Sequence, residues 1–119
     1  MSVNDQAMEL AKTLQESNEY RQYLTAKKRL QEDDKNTALL QEFRRIQLEL
    51  QIAEISGEDT ESALEQLERI YQQISLNPIV NEFLTAEYQL ARLMMDVQKI
   101  LSEALEFWHE ADINKKYLN

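Results

Sequence analysis

The chain has 119 residues, 43% of them hydrophobic and 29% charged, with a formal net charge of -9, one Gly, one Pro and no Cys. Without Cys it can form no disulfide, no thiolate nucleophile and no Cys-ligated zinc or iron–sulfur centre. The scarcity of Gly and Pro leaves little turn chemistry for β-hairpins, so the composition predicts an all-α protein that forms one helical domain over residues 1–119.

Periodic apolar residues predict about five helices. The first has its N-cap at Ser2 or Asn4 and ends near Ser17-Asn18, and its apolar positions are Ala7, Leu10, Ala11 and Leu14. Ser17 is the predicted N-cap of the second helix, because its side-chain oxygen can accept a hydrogen bond from an otherwise unpaired backbone N–H. The apolar positions of this helix are Tyr20, Tyr23, Leu24 and Leu30.

The third and fourth helices are separated by the only Gly of the chain. A polar break at Asp33, Asp34 and Asn36 precedes the third helix, whose apolar positions are Leu39, Leu40, Phe43, Ile46, Leu50 and Ala53. Gly57 is predicted to end this helix in the left-handed conformation, which Gly adopts without a Cβ clash. Asp59 or Thr60 then begins the fourth helix, whose apolar positions are Leu64, Leu67, Ile70, Tyr71 and Ile74.

The fifth helix has the strongest start signal, an Asn77 N-cap followed by Pro78, and is predicted to continue to about Trp108. Its apolar stripe widens beyond Tyr88, and a helix that is apolar over more than about 100° of its circumference needs cover from a second side. We predict that another subunit supplies this cover, the alternative being neighbouring helices of the same chain. The candidate protein-interface residues are Leu90, Leu93, Met94, Val97, Leu101 and Trp108.

The charge is distributed unevenly along the chain. Residues 1–45 hold eight basic and eight acidic side chains, whereas residues 46–119 hold five and fourteen. Because nucleic-acid affinity comes largely from the neutralisation of phosphates, this balance argues against direct nucleic-acid binding. The main basic concentration is a candidate contact face for an acidic partner, or alternatively an ordinary solvated helix surface, and comprises Arg21, Lys27, Lys28 and Arg29.

The sequence also repeats itself weakly at an offset of sixty residues, where Leu24-Thr25-Ala26 recurs as Leu84-Thr85-Ala86. Each unit consists of a shorter helix, a capped break and a longer helix. Such units stack because neither can bury its apolar face alone. Chance similarity between two amphipathic helices is the alternative explanation.

Few catalytic arrangements are available, since the chain has one His, no Cys and no Gly-rich phosphate loop. Glu106-x-x-His109 has the spacing with which carboxylate bundles hold iron, although a solvated helix end explains the same residues. We therefore expect no enzymatic activity, no metal and no cofactor. The N-terminus does not resemble a signal peptide and no apolar run reaches about 20 residues, which predicts a cytoplasmic protein without membrane contact.

Several segments carry a resemblance to a known family: Tyr23-Leu24-Thr25-Ala26-Lys27-Lys28-Arg29-Leu30-Gln31-Glu32-Asp33, Phe43-Arg44-Arg45-Ile46-Gln47, Gly57, Leu76-Asn77-Pro78, and Phe83-Leu84-Thr85-Ala86-Glu87-Tyr88-Gln89-Leu90. With these segments the sequence resembles the bacterial YlbF/YmcA family, including its uncharacterised YheA-like siblings, over about residues 7–108. The shared motifs are helix caps and packing positions rather than catalytic groups.

The resemblance implies an all-helical bundle that forms oligomers in the cytoplasm. In the best-known members it also implies a regulatory complex with other proteins, which affects competence, sporulation and biofilm formation and assists the maturation of messenger RNA by ribonuclease Y. Some members end in a cysteine-bearing tail associated with an iron–sulfur cluster, and this chain has no Cys. We expect a non-enzymatic adaptor that acts through protein–protein contacts. The alternative is an RNA-associated factor that contacts nucleic acid through the basic face of its second helix.

Overall fold

A computed structural model describes residues 2–106, and this part of the chain is helical and contains no strand. The helices in chain order are α1 (Val3–Gln15), α2 (Asn18–Gln31), α3 (Asp34–Ser56), α4 (Glu61–Ser75) and α5 (Pro78–Ala104). The predicted all-α class and the long last helix are therefore confirmed. Among these helices none combines the length and the hydropathy that a membrane crossing requires.

Side-chain caps begin α2 and α5, as the sequence predicts. The Ser17 hydroxyl accepts a hydrogen bond from the Tyr20 backbone N–H at 3.2 Å. The Asn77 Oδ1 accepts from the N–H groups of Ile79 and Val80 at 3.1 and 3.2 Å. These bonds satisfy donors that the first helical turn leaves unpaired, so the caps fix where both helices begin.

Two predicted helix ends are wrong by a few residues. Helix α1 ends at Gln15 instead of near Ser17, because Ser17 has an extended backbone and already serves as the N-cap of α2. Helix α5 ends at Ala104, where the extended backbone of Leu105 terminates it. The predicted continuous helix to about Trp108 is therefore interrupted at Leu105, and Trp108 itself lies outside the described residues.

The polar break before α3 is shorter than predicted. Asp33 is the N-cap and accepts a hydrogen bond from the Lys35 N–H at 2.9 Å, so Asn36 lies inside the helix. The Asn36 Oδ1 accepts from the Asn77 Nδ2 at 2.7 Å, and this bond joins the start of α3 to the start of α5. Before α4, the Asp59 carboxylate accepts from the Glu61 N–H at 3.0 Å.

The helices pack as two intimate pairs, α2 with α5 and α3 with α4. Helices α2 and α5 are antiparallel, since Arg29 at the end of α2 contacts Glu82 near the start of α5. Between the pairs lies one core, in which the Tyr23 ring packs on Phe83 with centroids 5.6 Å apart. Its buried side chains are Ala26, Leu30, Leu40, Phe43, Ile46, Ile70, Ile74, Val80, Phe83 and Ala86.

Gly57 occupies the predicted left-handed position after α3, with φ 73°. A Cβ at this residue would meet no atom within 4 Å, so only the backbone conformation disfavours other residues. We expect Gly57→Val to lower the free energy of unfolding by about 1–2 kcal/mol, because a β-branched residue is strained there. Urea denaturation measures the loss, and Gly57→Asn should lose less, since Asn tolerates this conformation. Equal midpoints for Val and Gly would contradict the assignment.

Candidate protein-interaction surfaces

A groove of about 680 Å³ runs between α2 and α5 on the side that faces away from α3. The buried side chains of Ala26 and Ala86 lie at its base, and small side chains there let two helices approach closely. Helix α2 lines it with Arg21, Gln22, Thr25, Ala26 and Arg29. Helix α5 lines it with Pro78, Asn81, Glu82, Thr85, Ala86 and Gln89.

The internal repeat is centred on this groove. Each residue that α2 contributes has a counterpart sixty positions later, and all of these counterparts lie among the α5 residues that line the groove. Thr25-Ala26 and Thr85-Ala86 thus line the same groove from two antiparallel helices. This placement supports a structural origin of the repeat, because the matched positions line one surface and do not merely share a helical period.

The groove combines an apolar floor with charged edges. Arg29 donates a hydrogen bond to the Glu82 carboxylate at 2.5 Å and so bridges the two helices at one end. Both side chains are half exposed, so this ion pair contributes little to stability. In the described part of the chain Arg21 forms no ion pair, which leaves its guanidinium available at the other end of the groove.

The predicted basic face is divided by the structure. Arg21 and Arg29 line the groove at its two ends, whereas Lys27 and Lys28 are exposed and do not line it. Lys28 lies in the last turn of α2, where a positive charge is favoured by the helix dipole. Lys28 therefore has a structural explanation, Lys27 is simply exposed, and of the four residues only the two arginines flank a concave surface.

The two neighbouring arginines in the middle of α3 are engaged by carboxylates. Arg44 pairs with Glu87 of α5, and Arg45 pairs with Glu42 and Glu49 on its own helix. The hydrogen bond from Arg45 lowers the pKa of the Glu42 carboxyl below its ordinary value. Since these charges are already paired at the surface, they offer less to an anionic partner than Arg21 does.

The predicted interface residues of α5 form a second surface, which we call the distal stripe: Leu90, Leu93, Met94, Val97 and Leu101. Phe83, Leu90 and Val97 follow one another at intervals of seven, so the distal stripe continues the side of α5 that is buried nearer its start. Helix α2 begins beside Leu93, and the rest of α5 extends beyond it. Met94 is accordingly 46% exposed and Leu101 39% exposed. Trp108, the sixth predicted residue, lies outside the described residues.

The sequence analysis missed a third apolar surface, on the outer side of α3. Leu48, Ile52 and Ile55 are exposed and share one helix face, opposite the buried Phe43 and Ile46. In the sequence these residues follow one another at intervals of four and three positions, which is the spacing of one helix face. The buried stripe of α3 alone accounts for its packing, so the sequence gives this second face no evident role.

Within residues 2–106 no group of three or more His, Asp or Glu side chains is arranged to hold a metal ion. Glu106 is described, but His109 lies outside the described residues, so the Glu106-x-x-His109 motif has no geometry to report. The surfaces that the structure does present are a groove and apolar helix faces, which are typical of protein–protein recognition.

Residues 3–106 match the family profile described as "Control of competence regulator ComK, YlbF/YmcA". A UPF0342 protein of Caldicellulosiruptor bescii is 39% identical over 110 residues, which cover 92% of each chain. A UPF0342 protein of Desulfitobacterium hafniense is 38% identical over 106 residues, 88% of this chain and 86% of the relative. The profile spans α1 to α5, and together with these relatives it shows that the chain belongs to the YlbF/YmcA family.

Proposed function

We propose that the chain is a non-enzymatic helical adaptor that regulates other proteins by binding them, and that it self-associates through the distal stripe. The observation that carries the proposal is the α2/α5 groove, a concave surface with an apolar floor and, at one edge, Arg21, which forms no ion pair within residues 2–106. A groove between two antiparallel helices suits the apolar face of a third helix. We therefore assign the groove to an amphipathic helix of a partner protein, with a carboxylate placed to meet Arg21.

The distal stripe has a different role in this proposal. Its residues continue a buried helix face toward solvent, with Leu90, Leu93 and Val97 half-buried and Met94 and Leu101 exposed, and a partly exposed apolar stripe of this kind suits an interaction site. The proposed occupant of the distal stripe is a second copy of the chain. In this proposal the distal stripe joins the copies into an oligomer, and the α2/α5 groove binds the regulated protein. We place the regulated processes among those of the family, namely competence, sporulation and biofilm formation, with a link to maturation of messenger RNA by ribonuclease Y.

The groove assignment predicts opposite results for two charge reversals on one helix. Arg21→Glu should weaken capture of the partner at least tenfold, because the new carboxylate repels the partner carboxylate that Arg21 is proposed to meet, and loss of a paired interface Arg commonly costs about 2 kcal/mol or more. Lys28→Glu makes the same charge change outside the groove and serves as the matched control. Affinity capture from the native host, quantified by mass spectrometry for the parent and both variants, compares them.

Both residues are exposed, so neither variant is expected to change the helical content or the urea midpoint. A partner that is lost with Arg21→Glu and kept with Lys28→Glu supports the groove. If both variants capture the partner equally well, or lose it equally, the groove is not the surface that binds the partner.

The alternative of direct RNA binding has a separate test. We expect the isolated protein to bind a labelled single strand no more tightly than micromolar at physiological salt, because acidic residues outnumber basic ones 22 to 13. Arg21 and Arg29 offer only a short cationic edge, interrupted by Glu82. Fluorescence anisotropy across a salt series measures the affinity. Tight binding that falls steeply with salt would favour the RNA-associated factor over the adaptor.

A further inference from the structure

Helix α1 has an apolar face that residues 2–106 leave largely uncovered, with Leu14 at its C-terminal end half-buried. It contributes no buried residue, and α2 is the single described helix that it contacts. Val3, Ala7, Leu10 and Leu14 lie along one side of it, and Leu10 is 38% exposed. The end of α1 and the distal stripe both lie beside the start of α2, yet α1 and α5 do not touch.

The two uncovered faces match in spacing. In α1 the apolar positions Val3, Ala7, Leu10 and Leu14 follow at intervals of four, three and four residues. In the distal stripe the positions Leu90, Met94, Val97 and Leu101 follow at the same intervals. This alternation brings apolar side chains to one seam, and two helices that share it can pack side by side with knobs in holes.

The charges of both helices leave these seams free. At 100° per residue, Asp5, Glu9 and Lys12 lie on the side of α1 opposite its apolar seam. In α5 the charged residues Arg92, Asp96, Lys99 and Glu103 likewise lie opposite the distal stripe. No charge of either helix would be desolvated if the two seams met.

We infer that α1 of a second copy packs on the distal stripe, and that the two copies exchange their α1 helices reciprocally about a two-fold axis. This inference rests on the proposed self-association and names the segment that performs it. Pairing α5 with α5 of the second copy would leave both α1 faces in water, whereas reciprocal exchange covers all four faces.

The absence of Cys from the chain makes a direct test possible. One full-length chain carries Leu10→Cys and another carries Val97→Cys, both in the middle of their seams. The two are mixed, allowed to exchange subunits and treated with a short bis-maleimide. We expect cross-linking in the mixture about a hundredfold faster than between unassociated chains, because an interface holds the thiols at a millimolar or higher effective concentration.

Each outcome has a distinct meaning. Cross-linked dimer in the mixture, with little in either variant alone, supports the exchange. Dimer from Val97→Cys alone indicates α5–α5 pairing and overturns it. A double variant, Leu10→Cys with Val97→Cys, that cross-links within a single chain also overturns it. If the parent sediments as a dimer but the mixture does not cross-link, only the exchange fails; if the parent is monomeric, the proposed self-association fails with it.

A second measurement does not depend on cross-linking geometry. Leu10→Glu should raise the dimer dissociation constant at least tenfold, whereas Met8→Glu, on the same helix but away from the seam, should change it less than threefold. Because α1 buries no residue in its own chain, both variants should keep the parent's helical content. Equal dissociation constants for these two variants would also overturn the exchange.

Discussion

Phe83→Ala is expected to lower the free energy of unfolding by about 3–5 kcal/mol, which is the usual cost of deleting a buried aromatic side chain. Phe83 is buried where α5 meets α2, and its ring packs on Tyr23 at 5.6 Å. The guanidinium of Arg44 from α3 lies 5.9 Å from the same ring centroid. One substitution therefore removes contacts to two helices, and it consumes a large share of the about 5–15 kcal/mol that stabilises an ordinary domain.

Tyr88→Ala is the matched control for this prediction, because Tyr88 is an exposed aromatic residue on the same helix. Its removal should change the free energy of unfolding by about 0.5 kcal/mol or less. Urea denaturation followed by circular dichroism gives both values. Similar losses for the two variants would show that the core does not lie where α2, α3 and α5 meet.

The helix starts at Ser17 and Asn77 and the helix stop at Gly57 were the most predictable part of this fold. Ser17, Gly57 and Asn77-Pro78 act through hydrogen bonds or backbone angles that depend on neighbouring residues alone, and each has the predicted role. The predicted end of α1 failed because one residue cannot both continue α1 and cap α2. Local chemistry thus determined the helices, with errors confined to their ends.

The pairing of helices was harder to predict from the sequence, because an apolar stripe does not specify which other stripe covers it. The repeated Leu-Thr-Ala string was the one signal that related α2 to α5, and it gave no indication that the two helices touch. The groove follows from that contact, since Ala26 and Ala86 form a floor only when they meet. For the same reason the sequence could not separate Arg21 and Arg29, which flank the groove, from Lys27 and Lys28.

The distal stripe was predictable for a different reason. Apolar residues occupy more of the circumference of α5 than one packing partner can cover. This excess can be recognised from the sequence of α5 alone, without knowledge of the neighbouring helices. The sequence left open whether the same chain would cover it. Within the described residues the same chain covers the distal stripe only in part. Helix α2 begins beside Leu93 and α1 does not reach α5, so Met94 and Leu101 are exposed.

Met94→Glu should weaken self-association of the protein by about a hundredfold to a thousandfold. Met94 lies within the distal stripe, and a carboxylate placed there would lose its hydration on assembly without gaining a partner, at a cost of about 3–4 kcal/mol. The adjacent Met95 is 65% exposed and lies on another side of α5, so Met95→Glu adds the same charge outside the interface.

Sedimentation velocity over a concentration series gives the dissociation constants of the parent and of both variants. We expect the parent to be a dimer or larger at micromolar concentration, Met95→Glu to resemble it and Met94→Glu to be largely monomeric. Because Met94 contributes nothing to the buried core, its variant should unfold at the parent's monomer stability, which separates lost assembly from lost folding. A monomeric parent, or equal weakening by both substitutions, would show that the distal stripe is not the surface through which the copies associate.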